Sequence, residues 1–145
     1  MKKTILVVDD FASIRNFVCE MLERKGYSTL GAANSSEAFQ LLTQNANTVN
    51  LVLTDYNMPG GTGFELLKKI KSSPTVAHIP VIFLTTELSP EKMDSAREAG
   101  LSTWIRKPYR AEAFFAQIES TIQRDSQRSY ATSLPAPETD IYSNK

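Results

Sequence analysis

The sequence predicts an α/β fold, a doubly wound, five-stranded parallel sheet built as (βα)5. Three observations carry that prediction. Short, unbroken β-branched runs recur along the chain, as fully buried strands do. Amphipathic segments with helical start and stop signals lie between them. The two kinds alternate through short loops, a pattern that puts helices on both faces of a parallel sheet and makes the crossovers right-handed.

The first run is "TILVV" (Thr4–Val8). Ile14, Phe17, Val18, Met21 and Leu22 then recur at helical spacing, and Gly26 closes that helix. "YSTLGAA" (Tyr27–Ala33) is a weaker strand, and "SSEAFQLL" (Ser35–Leu42) is a helix opened by a cap-type serine. "LVLT" (Leu51–Thr54) is a second strongly buried run. Gly63–Lys71 carries Phe64, Leu66, Leu67 and Ile70 with a lysine-rich outer face. "PVIFLTT" (Pro80–Thr86) is the next strand. "SPEKMDSAREAG" (Ser89–Gly100) has serine at the N-cap, proline in the first turn and a closing glycine. "STWIRK" (Ser102–Lys107) is a short last strand, and Ala111–Arg124 is a final helix through Phe114, Phe115, Ile118 and Ile122.

Composition narrows the function classes. The 145 residues suit one domain with a proper core. A formal net charge of +0 without a basic block argues against non-specific nucleic-acid binding. The single cysteine, Cys19, excludes a disulfide framework and a cysteine metal cluster, and it reads as packing in the first helix. The apolar run in "MKKTILVVDDF" is too short for a signal peptide or a membrane span, so a cytoplasmic protein with no membrane partner is expected. His78, the sole histidine, reads as a surface loop residue. After Arg124 the chain turns polar. The expected organisation is one domain over 1–125 and a flexible tail over 126–145, with Tyr130, Leu134, Ile141 and Tyr142 as the tail's few apolar anchors.

Function in an open parallel sheet sits at the carboxyl ends of the strands. There the chain places Asp9 and Asp10, then Asp55, then Thr85 and Thr86, then Lys107. Taken singly these are ordinary: Asp55 forms a turn before "NMPGG", and Asp9 or Asp10 caps a helix. Together, three nearby carboxylates repel one another and must retain a proton or bind a cation. Mg²⁺ suits oxygen ligands, and it accepts one or two carboxylates plus phosphate. A carboxylate beside Mg²⁺ and a lysine can act as nucleophile toward a phosphoryl group.

These residues resemble those of a known family. "VVDDF", "DYNMPGGTGFELL", "FLTT" and "RKP" stand in the order and at the spacings of response-regulator receiver domains, close to the stand-alone chemotaxis (CheY-like) type. The resemblance covers about Lys3 to Arg124 and implies the flavodoxin-like strand order 2-1-3-4-5. It also implies the roles. Asp55 matches the phosphoacceptor, Asp10 the direct Mg²⁺ ligand, Asp9 the acid that holds the ion's waters, and Asn57 the residue whose backbone carbonyl completes the site. Thr85 matches the switch hydroxyl, Lys107 the lysine that pairs with the phosphoryl group, and Pro108 follows a peptide bond that the family keeps cis. The implied partners are a sensor histidine kinase or histidine phosphotransfer protein, and a downstream protein at the face of the fourth helix, last strand and last helix, where Arg97, Trp104, Arg106 and Tyr109 lie.

The chain departs from the pattern in places. Trp104 stands where the switch aromatic is usually Tyr or Phe, and Thr86 where a small residue is common. Asn57 and Glu87 occupy the positions that tune dephosphorylation, and this pair resembles regulators with a short-lived phosphoryl group. Three other classes fit the residues less well. An aspartyl-phosphate phosphatase of the haloacid-dehalogenase type needs a second Asp two residues after its nucleophile, where Asn57 stands. A flavodoxin-like cofactor binder needs a phosphate loop where Asp9 and Asp10 stand. A non-phosphorylated scaffold would have lost pocket residues that this chain keeps.

Overall fold

The computed structural model describes residues 2–58, 61–86 and 89–133, with side chains described as far as Asp125. Five strands alternate with five helices: β1 (Thr4–Val8), α1 (Ala12–Arg24), β2 (Ser28–Ala32), α2 (Ser35–Gln44), β3 (Val49–Asp55), α3 (Gly63–Lys71), β4 (Val81–Thr85), α4 (Pro90–Glu98), β5 (Thr103–Arg106) and α5 (Ala111–Ser133). All strand pairs are parallel, in the order β2-β1-β3-β4-β5.

Alternation along the buried strands supplies two cores, one on each face of the sheet. Leu6, Val8, Val52, Val81 and Phe83 meet Ala38 and Leu42 of α2, Leu66, Leu67 and Ile70 of α3, and Ala96 of α4. Ile5, Val7, Leu51, Leu53, Ile82, Leu84 and Ile105 point the other way, toward Val18 and Leu22 of α1 and Phe114, Ile118 and Ile122 of α5. The central strands β1 and β4 are buried along their whole length, which is why they read as continuous apolar runs. The edge strand β2 is half-buried for most of its length and reads correspondingly weakly.

Three boundaries and one helix face differ from expectation, each for a local reason. Strand β3 begins at Val49, ahead of Leu51, because a register shift against β1 leaves Asn50 over, and its side-chain oxygen accepts the Thr4 N–H at 2.8 Å. The cap of α2 is Asn34 and not Ser35, with Asn34 Oδ1 accepting from the Glu37 N–H at 2.8 Å. On α1, Val18 and Leu22 are buried while Ile14 is 39% and Phe17 60% exposed, since Phe17 sits about 100° around the helix from Val18. Finally α5 runs on through Ser133, so the first eight residues assigned to a flexible tail are helical. No proline or glycine occurs between Ala111 and Ser133 to break it. The anchors Leu134, Ile141 and Tyr142, and the side chain of Tyr130, lie outside the described residues.

Candidate functional site

The carboxyl rim of the sheet is built by strand register. Val8 of β1 pairs with Thr54 of β3, so the residues that follow each, Asp9 and Asp55, emerge side by side. Carboxylate oxygens of Asp9, Asp10 and Asp55 lie within 4.8 Å of one another. Asp9 is 4% exposed, while Asp10 and Asp55 are half-buried.

The two adjacent acids behave differently. Asp9 Oδ1 accepts the Phe11 N–H at 2.9 Å, closing the turn into α1, while the cap position is Phe11 without a side-chain cap hydrogen bond, so neither Asp9 nor Asp10 is the helix cap that its place suggested. Asp10 Oδ1 is buried and has no hydrogen-bond partner. A buried carboxylate oxygen without a donor is costly unless a cation or water occupies its lone pairs. The donor set therefore fits a hard divalent ion: three clustered oxygen ligands, one of them unsatisfied.

Asp55 is held at the end of β3 by its main chain. Thr54 Oγ1 donates to the Asp55 carbonyl at 2.9 Å, and the Gly63 N–H donates to the Tyr56 carbonyl at 2.7 Å. Burial pushes the Asp55 carboxyl above its ordinary range. Lys107 opposes that rise, Asp9 adds to it, and the main-chain N–H groups of Asn57 and Tyr56 oppose it. Thr85, buried, ends β4, and its carbonyl accepts the Lys107 N–H at 2.8 Å, which ties the two strand ends together. The peptide bond Lys107–Pro108 is cis. Trp104 is half-buried in β5, away from the acids, and Asn57 is exposed after β3. Glu87 lies outside the described residues, as do Pro59 and Gly60 of the Met-Pro-Gly turn.

Three positioning residues were not singled out from sequence. Gly63 opens α3 so close to β3 that a Cβ there would stand 2.6 Å from the Asp55 carbonyl oxygen. A glycine at the first helical position, where helix propensity is poor, was the available signal. Arg15 donates from Nη1 to the Asp9 carbonyl at 2.7 Å, with its stem across Gly31, where an added Cβ would stand 3.3 Å from Arg15 Cδ, and nothing local in sequence marks it. Tyr56 is 9% exposed and packs edge-on against Phe83 with centroids 5.5 Å apart.

Comparison with known proteins points the same way. The profile of the response regulator receiver domain matches residues 5–119. The chain is 29% identical over 120 residues to the chemotaxis protein CheY of Pseudomonas aeruginosa, covering 83% of this chain and 96% of that one. It is 35% identical over 116 residues to CheY1 of Helicobacter pylori, covering 79% and 93%. Among solved structures it resembles a receiver domain protein from Clostridium thermocellum, at TM-score 0.80 and 31% identity over 86% of this chain and 98% of that one. Vibrio cholerae CheY4 gives TM-score 0.78 and 31% identity over 83% and 99%. Among the described residues no helix is long and apolar enough to cross a membrane. An acid cluster on the carboxyl rim of a 2-1-3-4-5 sheet, in a sequence matched along most of its length, has one explanation: this chain belongs to the response regulator receiver domain family, the CheY-like signalling domains of two-component systems.

Proposed function

We propose that this chain is a phosphorylation-activated switch whose phosphoacceptor is Asp55. The observation that carries the reading is the juxtaposition of Asp55 with Asp9 and Asp10 within 4.8 Å, in reach of the Lys107 charge. A carboxylate oxygen of Asp55 attacks the phosphorus of a phosphohistidine presented by a sensor histidine kinase or a histidine phosphotransfer protein. The P–O bond forms as the P–N bond breaks, and the imidazole leaves with the electron pair of that bond and takes up a proton. Asp10, Asp55 and the backbone carbonyl of Asn57 would hold Mg²⁺, with Asp9 orienting its waters. When bound, the ion neutralises charge on the phosphoryl oxygens.

Lys107 supplies the protein's own positive charge to the same oxygens, and Thr85 offers a hydroxyl at the end of the neighbouring strand. The phosphoryl group adds about −1.5 to −2 of charge, which favours arrangements that bring Lys107 and Thr85 inward. Output then passes through α4, β5 and α5 to a partner protein, and the chain acts as a signalling domain whose chemistry is phosphotransfer to itself and hydrolysis of its own aspartyl phosphate.

Intact-mass spectrometry after incubation with acetyl phosphate and Mg²⁺ tests this. The wild type is expected to gain one phosphoryl adduct that needs Mg²⁺, and Asp55→Asn to gain none. No adduct at short times, together with no response to beryllofluoride as a stable mimic, would leave the scaffold reading in its place. Sustained turnover of a phosphorylated metabolite would favour the phosphatase.

A further inference from the structure

Trp104 lies in the edge strand β5, in register with Phe83 of β4. Alternation puts it on the same face as Phe83 and Thr85, and it packs against the core that α3 and α4 cover. Phe83 is fully buried and meets Tyr56, the residue after Asp55, edge to face. Phe83 thus links the strand position of Trp104 to the residue after Asp55. Its outer side is taken by α4, where the Arg97 guanidinium carbon stands 4.8 Å from the indole centroid. Tryptophan is the strongest aromatic partner for a cation, and a planar guanidinium stacks on it as well as being attracted. Asp94, one turn earlier, steers the same guanidinium through an Nη1–Oδ1 contact of 3.4 Å. The Arg97 side chain is 61% exposed, so it can swing away without uncovering core.

We propose that Arg97 is a reversible clamp on Trp104 that holds the indole outward and sets how readily the Asp55 switch turns on. The inference rests on the phosphoryl-switch reading above. An indole that moves toward Thr85 has to leave the guanidinium, so the contact favours the resting arrangement alone. A contact made in one state only shifts the equilibrium by its own strength, and linkage returns the same factor in the affinity for the phosphoryl group. Because the indole offers a single N–H donor and no acceptor, α4 grips its face and not its polar edge. An exposed cation–π contact of this kind corresponds to about a two- to fivefold shift.

Trp104 is the only tryptophan, so its fluorescence reads the clamp directly. The experiment compares wild type, R97Q and R97K during titration with beryllofluoride in excess Mg²⁺, with acrylamide quenching of the resting proteins. The resting emission of R97Q is expected to lie part-way toward that of beryllofluoride-loaded wild type, with a less accessible indole. Its half-saturating beryllofluoride is expected to fall about two- to fivefold, with R97K in between. An R97Q protein whose indole is more accessible, with unchanged half-saturation, shows Arg97 to be a passive cover and overturns the clamp. A wild type with neither a fluorescence response nor a mass adduct overturns the switch reading and the clamp together. That result is distinct from failure of the clamp alone, in which wild type and R97Q respond identically.

Discussion

At Asp55, burial and chemistry pull in opposite directions. In the role proposed for it Asp55 has to be ionised, yet the half-buried carboxyl is pushed above its ordinary range by desolvation and by the like charge of Asp9, with Lys107 and two main-chain N–H groups as the counterweight. A carboxyl whose folded pKa is raised binds its proton more tightly in the folded state. Its contribution to stability is therefore complete below the ordinary aspartate range and is lost as pH rises through the raised value. In Mg²⁺-free buffer, Asp55→Asn is expected to unfold a few degrees above wild type at neutral pH. The gap should close as the pH falls below about 4. Thermal unfolding across that range checks it, and a variant less stable than wild type at neutral pH would show that Asp55 is net stabilising. The family resemblance gives Asp9 and Asp10 different roles, but which of them closes the turn into α1 is read only from the structure. Both are short acids at a strand–helix turn, and the one whose oxygen meets the Phe11 N–H is fixed by backbone direction, which sequence does not carry.

Between β3 and α3 the decisive group is an absent one. The Thr62–Glu65 capping box fixes where α3 starts, with the Thr62 hydroxyl accepting from the Glu65 N–H at 3.2 Å and the Glu65 carboxylate from the Thr62 N–H at 3.1 Å. Gly63 then lets that start press against the end of β3, at Asp55 and Tyr56. Gly63→Ala would set a Cβ 2.6 Å from the Asp55 carbonyl oxygen and 3.1 Å from Tyr56 Cα, both rigid backbone atoms. The expected cost is about 1–3 kcal/mol, read as a lower denaturant midpoint. Phosphorylation by acetyl phosphate should also slow, since α3 can only give way by moving off β3. An unchanged midpoint would mean that the helix shifts freely. Elements of this kind were legible where two signals coincided. Gly63–Lys71 matched α3, and Ser89 with Pro90 marked the start of α4. Legibility failed where one signal had two carriers or none. Asn34 and Ser35 are both cap residues in adjacent places, the start of β3 depends on pairing with β1, and the polar composition after Arg124 hid a helix that runs on through Ser133. Arg15 escaped notice because its partner, the Asp9 carbonyl, is a main-chain atom that no residue type advertises.

The whole molecule turns one rim of a sheet into a charge problem. Two apolar cores fix five strands in register, and that register gathers Asp9, Asp10 and Asp55 while leaving Asp10 Oδ1 without a partner. The fold was legible because burial on both faces writes β1, β4 and the Leu51–Thr54 part of β3 as nearly continuous buried runs, and the acids at the ends of β1 and β3 were legible as a site because nothing in packing asks for three acids there. Such a rim lowers the stability of the domain until a cation arrives, so ion binding and folding are linked. An ion that binds the folded chain alone stabilises it by about 2.7 kcal/mol at 100 times its dissociation constant, which for a domain of this size is about 5–10 °C. Thermal unfolding is expected to rise by that order on titration with Mg²⁺ at constant ionic strength, and the rise should saturate. Asp10→Asn should lose most of the rise while keeping the apo midpoint at or above that of wild type, because it removes a repelling charge along with the ligand. General screening by salt would instead lift both proteins equally and without saturation, and that outcome would remove the ion from the site.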